Sequence, residues 1–138
     1  MCVLKAFSSS QSFRSFSKAT KIPVYSCVEK GDALSPGGKS LAAEYRISFD
    51  VSDKEWDDFP GQVEDATAFL SKWEAELISF TSDFEPEEMI LDFPLYSRLS
   101  ESIINQNDYL PKQLITLAGR LGLCIGMSIY QQDRIAEL

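Results

Sequence analysis

At 138 residues the chain can bury a hydrophobic core but is too short for two ordinary domains, so one globular domain over residues 1–138 is expected. With 44% hydrophobic and 25% charged residues, it lies far from the apolar-poor, charge-rich composition of disordered chains. A net charge of −8 disfavours nucleic acid, whose phosphates need a basic footprint, and the absence of histidine removes the usual general base and the commonest zinc or iron ligand.

Residues 1–7 read as a strand of small and apolar residues. In the serine-rich stretch from Ser8 to Ser17, Phe13 and Phe16 lie one helical turn apart and mark a short helix. Lys5, Arg14, Lys18 and Lys21 precede the first acidic residue, Glu29, which also matches a transit peptide, but a strand and short helix is the preferred reading. The apolar start gives way at Ser8, so an ordinary secretory leader is not expected and a cytoplasmic location is. Ile22 to Val28 reads as a second strand, with Pro23 placing it at an edge or a strand start. The loop after Lys30 contains Gly37-Gly38-Lys39-Ser40, which looks like the end of a phosphate-binding loop. The glycine required five positions before Gly38 is instead Ala33, and no long helix follows, so a flexible turn is expected.

Tyr45, Ile47, Phe49 and Val51 alternate with Arg46, Ser48 and Asp50, the period of a strand with one wet face. Asp53, Glu55, Asp57 and Glu64 fall at positions 1, 3, 5 and 12 of a calcium-loop frame, but position 6 is Asp58 rather than glycine, so a solvated acidic turn is expected and no metal. After Pro60-Gly61, Val63, Ala66, Phe69, Leu70, Trp73 and Leu77 recur at helical spacing. Trp73 belongs to that apolar face and is expected in the core. Met89 to Phe93 is a short strand approached by acids. Leu110-Pro111 opens a second main helix that stops at Gly122, and Leu123 to Tyr130 is the last strand. This order predicts an α+β fold, a largely antiparallel sheet of about five strands with two main helices packed on one face. The longest apolar run, Leu121 to Tyr130, is broken by Gly122 and Gly126, so no membrane partner is expected.

Cys2, Cys27 and Cys124 are odd in number with no close pair, which predicts reduced, largely buried thiols rather than a disulfide framework. Without histidine neither a thiol nor a serine has its usual base. The adjacent acids Asp57/Asp58 and Glu87/Glu88 could divide acid and base roles, but on polar stretches they read as hydrated, so no catalytic residue and no cofactor is expected. A small carboxylate-based enzyme or metal- or ligand-binding domain is the alternative.

Basic and acidic residues number six and two in 1–43, four and sixteen in 44–101, and three and three in 102–138. The acidity therefore belongs to the middle. Aromatics interleaved with acids are a composition that protein interfaces favour. The candidate interface is Asp53, Glu55, Trp56, Asp57 and Asp58 together with Glu85, Glu87 and Glu88, and its expected partner is a basic protein.

Tyr109-Leu110-Pro111-Lys112-Gln113-Leu114, followed by Leu117-Ala118-Gly119-Arg120-Leu121-Gly122-Leu123 and Ile125 to Tyr130, resembles the end of small bacterial proteins grouped as domains of unknown function. These close with a helix, a Leu-Gly break and a strand ending in Ile-Tyr. The resemblance covers residues 109–130, extends to the rest only by element order, and implies no catalytic residues. The chain is also similar, by analogy alone, to small acidic immunity proteins, which neutralise toxins by binding them. That similarity implies a non-catalytic protein-binding module.

Overall fold

A computed structural model describes residues 1–132 of the chain. The elements run β1 (Cys2–Ser8), α1 (Arg14–Ala19), β2 (Val24–Val28), β3 (Tyr45–Ser52), α2 (Phe59–Phe84), β4 (Glu88–Tyr96), α3 (Lys112–Leu121) and β5 (Cys124–Tyr130). One sheet takes all five strands in the order β2-β3-β1-β4-β5. Every neighbouring pair is antiparallel except β4 and β5, which are parallel and joined by the helical crossover such a pair requires. The expected α+β class and largely antiparallel sheet are therefore what the chain forms. With β1 between β3 and β4, the first six elements make a split β-α-β arrangement, and α3 and β5 extend it at the β4 edge.

Strand alternation builds the core. The register sets Leu4 between Phe49 and Leu91, and Ala6 between Ile47 and Met89, so the inward residues of three strands form one apolar layer. Onto this layer α2 lays Val63, Ala66, Phe69, Leu70, Leu77 and Phe80, spaced at three, four and seven residues. Phe80 is fully buried, with ring centroids 5.4 Å from Phe13, 4.6 Å from Phe16 and 5.9 Å from Phe49. One ring thus joins the serine-rich segment, the long helix and the sheet. Trp73 packs against the core only partly buried, with the Lys72 ammonium 4.9 Å from its ring centre. Helix α3 buries Leu114, Leu117, Ala118 and Leu121, and ends at Gly122, whose φ of 69° is left-handed and suits glycine.

The opposite face of the sheet is polar at its centre. Asp92, which interrupts the apolar run of β4, points there: Lys5 Nζ lies 3.5 Å from its carboxylate and the Ser128 hydroxyl donates to it at 3.0 Å. The thiols depart from expectation. Cys2 is buried and Cys27 half-buried, but Cys124, at the start of edge strand β5, is exposed. Among the described residues, no helix is long and apolar enough to cross a membrane.

Candidate functional site

The segment between β3 and α2 is held rather than loose. Ser52 donates its hydroxyl to Asp65 at 2.7 Å and accepts the Lys54 amide at 3.2 Å. The Asp58 amide closes a turn on the Glu55 carbonyl at 3.0 Å, and the Asp58 carboxylate caps α2 by accepting the Gly61 amide at 3.0 Å. Pro60 sits in the first helical turn, where its missing N–H costs nothing. Gln62 then does what no apolar residue could. Fully buried at the start of α2, it donates from Nε2 to the Pro94 carbonyl at 2.8 Å and the Glu55 carbonyl at 3.2 Å, tying the loop to β4.

This bracing carries Trp56. Its carbonyl accepts the Tyr96 amide at 3.2 Å, while its indole stacks on Tyr130 with centroids 4.7 Å apart and leans on Tyr96 at 5.5 Å. Tyr96 and Tyr130 are partners in the parallel register of β4 and β5, so the two rings come from adjacent strand ends. Asp53, Glu55, Asp57 and Asp58 are all exposed around this half-buried indole. The result is a braced aromatic corner on a segment that exposes four acids and one base, Lys54.

The other candidate acids lie elsewhere. Glu85 and Glu87 occupy the α2–β4 connection and Glu88 begins β4, and the 26 residues of α2 separate them from the Trp56 corner by about 39 Å along the helix axis. Glu85 ends the helix in the left-handed region at φ 45°, ahead of Pro86. Glu87 is already engaged. Its carboxylate accepts from the Ser9 hydroxyl and from the Ser9 amide, the latter at 3.0 Å, and these bonds, the hydroxyl first, hold its carboxyl below the ordinary glutamate range. The eight residues thus form two separate acidic ends, of which one carries the half-buried Trp56 stacked on Tyr130.

The remaining constellations show no comparable assembly. The residues around Gly37-Gly38-Lys39-Ser40 are exposed, held by a bridge between Ala33 and Leu41 and by backbone bonds such as Leu34 N–H to the Ser40 carbonyl at 2.8 Å, and lead into β3 rather than a helix. Among the described residues, no three Asp, Glu or Cys side chains are grouped to hold a metal ion. A cleft of about 470 Å³ between α2 and the start of α3 has Glu64 as the single titratable group in its lining, so it offers no carboxylate pair. A second, of about 290 Å³, is lined by Glu85, Glu87, Glu88 and Cys124. There Glu87 is spent on Ser9.

Sequence reasoning missed Gln62, Tyr96 and Tyr130. No local pattern could reveal the tyrosines as Trp56's neighbours, because their meeting depends on the β4–β5 register. Gln62 carried a weak signal: it is a polar residue one position before Val63 on the apolar side of an amphipathic helix. No family model matches the chain, and neither a curated protein nor a solved structure matches it.

Proposed function

We propose that this chain is a non-catalytic protein-binding module that engages a basic partner through the Trp56 corner, in the manner of an immunity protein neutralising a basic toxin. The observation that carries the reading is the stacking of half-buried Trp56 on Tyr130 amid exposed Asp53, Glu55, Asp57 and Asp58. Interfaces concentrate their energy in rigid aromatic anchors, and a carboxylate rim steers a basic partner toward them. Preorganisation adds to this: bonds from Gln62, Asp58 and Tyr96 fix the loop before any partner arrives, so little conformational entropy is lost on binding. Cytoplasmic residence is part of the proposal, supported by three free thiols, one of them exposed.

Affinity capture from lysate of the source cells tests it, using wild-type and Trp56→Ala baits side by side. A basic protein enriched on the wild-type bait, lost with Trp56→Ala and released by moderate salt is the expected result. Equal enrichment on both baits would overturn the reading.

A further inference from the structure

The two edges of the sheet are built differently. Strand β2 is preceded by Pro23, and its register with β3 slips between Val24 and Ser26. Prolines and bulges are devices that keep a sheet edge from pairing with another chain. Strand β5 has neither. From Leu121 to Gln132 there is no charged residue and no proline. β5 pairs with β4 alone, and among the described residues no backbone group outside the sheet hydrogen bonds to residues 124–129.

The apolar layer of the core also runs out to this edge, and its cover ends beyond the partly buried Ile125. Ile125, Met127 and Ile129 pair with the inward-facing Leu91, Phe93 and Leu95, so they share the helix-side face. Yet Met127 is 41% exposed and Ile129 61%. Leu99 and Ile103, also exposed, line the same cleft as Gln131 and Gln132 just beyond the strand.

We propose that the β5 edge is a self-association surface, on which a second copy of this chain lays its own β5 antiparallel to join two five-stranded sheets into one. Charge selects a second copy. Two chains of net charge −8 repel unless they meet where acids are absent, and residues 121–132 are such a stretch. The arginines on the elements flanking β5 are already paired, Arg98 with Asp108 at 2.8 Å and Arg120 with Glu74 at 2.7 Å, so neither is free to draw an acidic partner. Geometry agrees. A strand laid antiparallel on itself gives the closed two-fold contact typical of homodimers. With the axis at Met127, Ile125 of one copy stands beside Ile129 of the other, which covers the exposed apolar row, while Gly126 meets Ser128 on the opposite face.

Sedimentation velocity from low micromolar to submillimolar concentration tests this. The expected mass rises from 15.5 kDa toward twice that value, and Met127→Lys and Ile129→Lys each hold it at 15.5 kDa with an unchanged far-UV circular dichroism spectrum. Should the lysine variants fail to fold, hydrogen exchange of the wild type decides: amides of β5 gain protection as concentration rises and those of β2 do not. A wild type that stays monomeric throughout overturns the proposal. So does association that survives both substitutions, or β5 exchange that ignores concentration.

Discussion

Trp56 stacks on Tyr130 with ring centroids 4.7 Å apart and planes 25° from parallel, and this contact fastens the loop ahead of α2 to the last strand of the sheet. An aromatic pair of this kind adds about 0.5–1.5 kcal/mol beyond the area it buries. With Tyr96 as a second neighbour, Trp56→Ala is expected to lower unfolding free energy by about 1–3 kcal/mol in urea titration, leaving the fold intact. Tyr130→Phe keeps the ring and is expected to leave stability unchanged. An Ala variant as stable as the wild type would show that the indole is not held by these rings.

The buried amide of Gln62 should be hard to replace. Gln62→Leu leaves the Pro94 and Glu55 carbonyls without their donor and is expected to cost about 2 kcal/mol, measured by denaturant unfolding. Gln62→Glu has a pH signature. Burial and the facing carbonyls favour the protonated acid in the folded state, raising its pKa. Its stability is then greatest below the ordinary glutamate pKa and falls as pH rises toward neutrality, and a pH-independent loss would contradict this account.

Thiol reactivity should follow position. Cys124 is exposed, Cys27 is half-buried and raised in pKa by that burial, and Cys2 is buried in the core with its pKa pushed far up by desolvation and the nearby Asp92 carboxylate. Titration with a chromogenic disulfide is expected to modify Cys124 first, Cys27 more slowly, and Cys2 only on unfolding. Rapid modification of Cys2 in the native protein would contradict the central position of β1.

Glu87 should titrate below the ordinary glutamate range, because hydrogen bonds from Ser9 favour its charged form. A depressed folded pKa means that its contribution is present above the unfolded glutamate value and is lost as pH falls through the folded one. Carboxyl NMR titration of wild type and Ser9→Ala checks this. The Glu87 resonance is expected to move toward the ordinary range when the Ser9 hydroxyl is removed.

Local periodicity made much of the fold legible. The alternation from Tyr45 to Val51 and the spacing from Val63 to Leu77 report which side of each element is buried, and both elements stand where those patterns lie. Helix limits were less visible. Helix α2 starts at Phe59, because Asp58 caps it, and it runs on to Phe84, because Phe80 and Phe84 continue the apolar face past a polar stretch. What no local pattern contains is the pairing of distant strands. The parallel placement of β5 on β4 brings Tyr96 and Tyr130 to Trp56, and the length of α2 separates two acidic runs that charge counting had merged.

That separation supplies the sharpest test of the proposed function. The dissociation constant for a captured basic partner is measured over a range of salt with two variants of the chain. One neutralises the Trp56 corner through Asp53→Asn, Glu55→Gln and Asp57→Asn, sparing the Asp58 cap. The other neutralises the far end through Glu85→Gln and Glu88→Gln. The account predicts a loss of about tenfold or more and a flatter salt dependence for the corner variant, with near wild-type binding for the other. Equal losses from both ends, or a loss confined to Glu85 and Glu88, would contradict it.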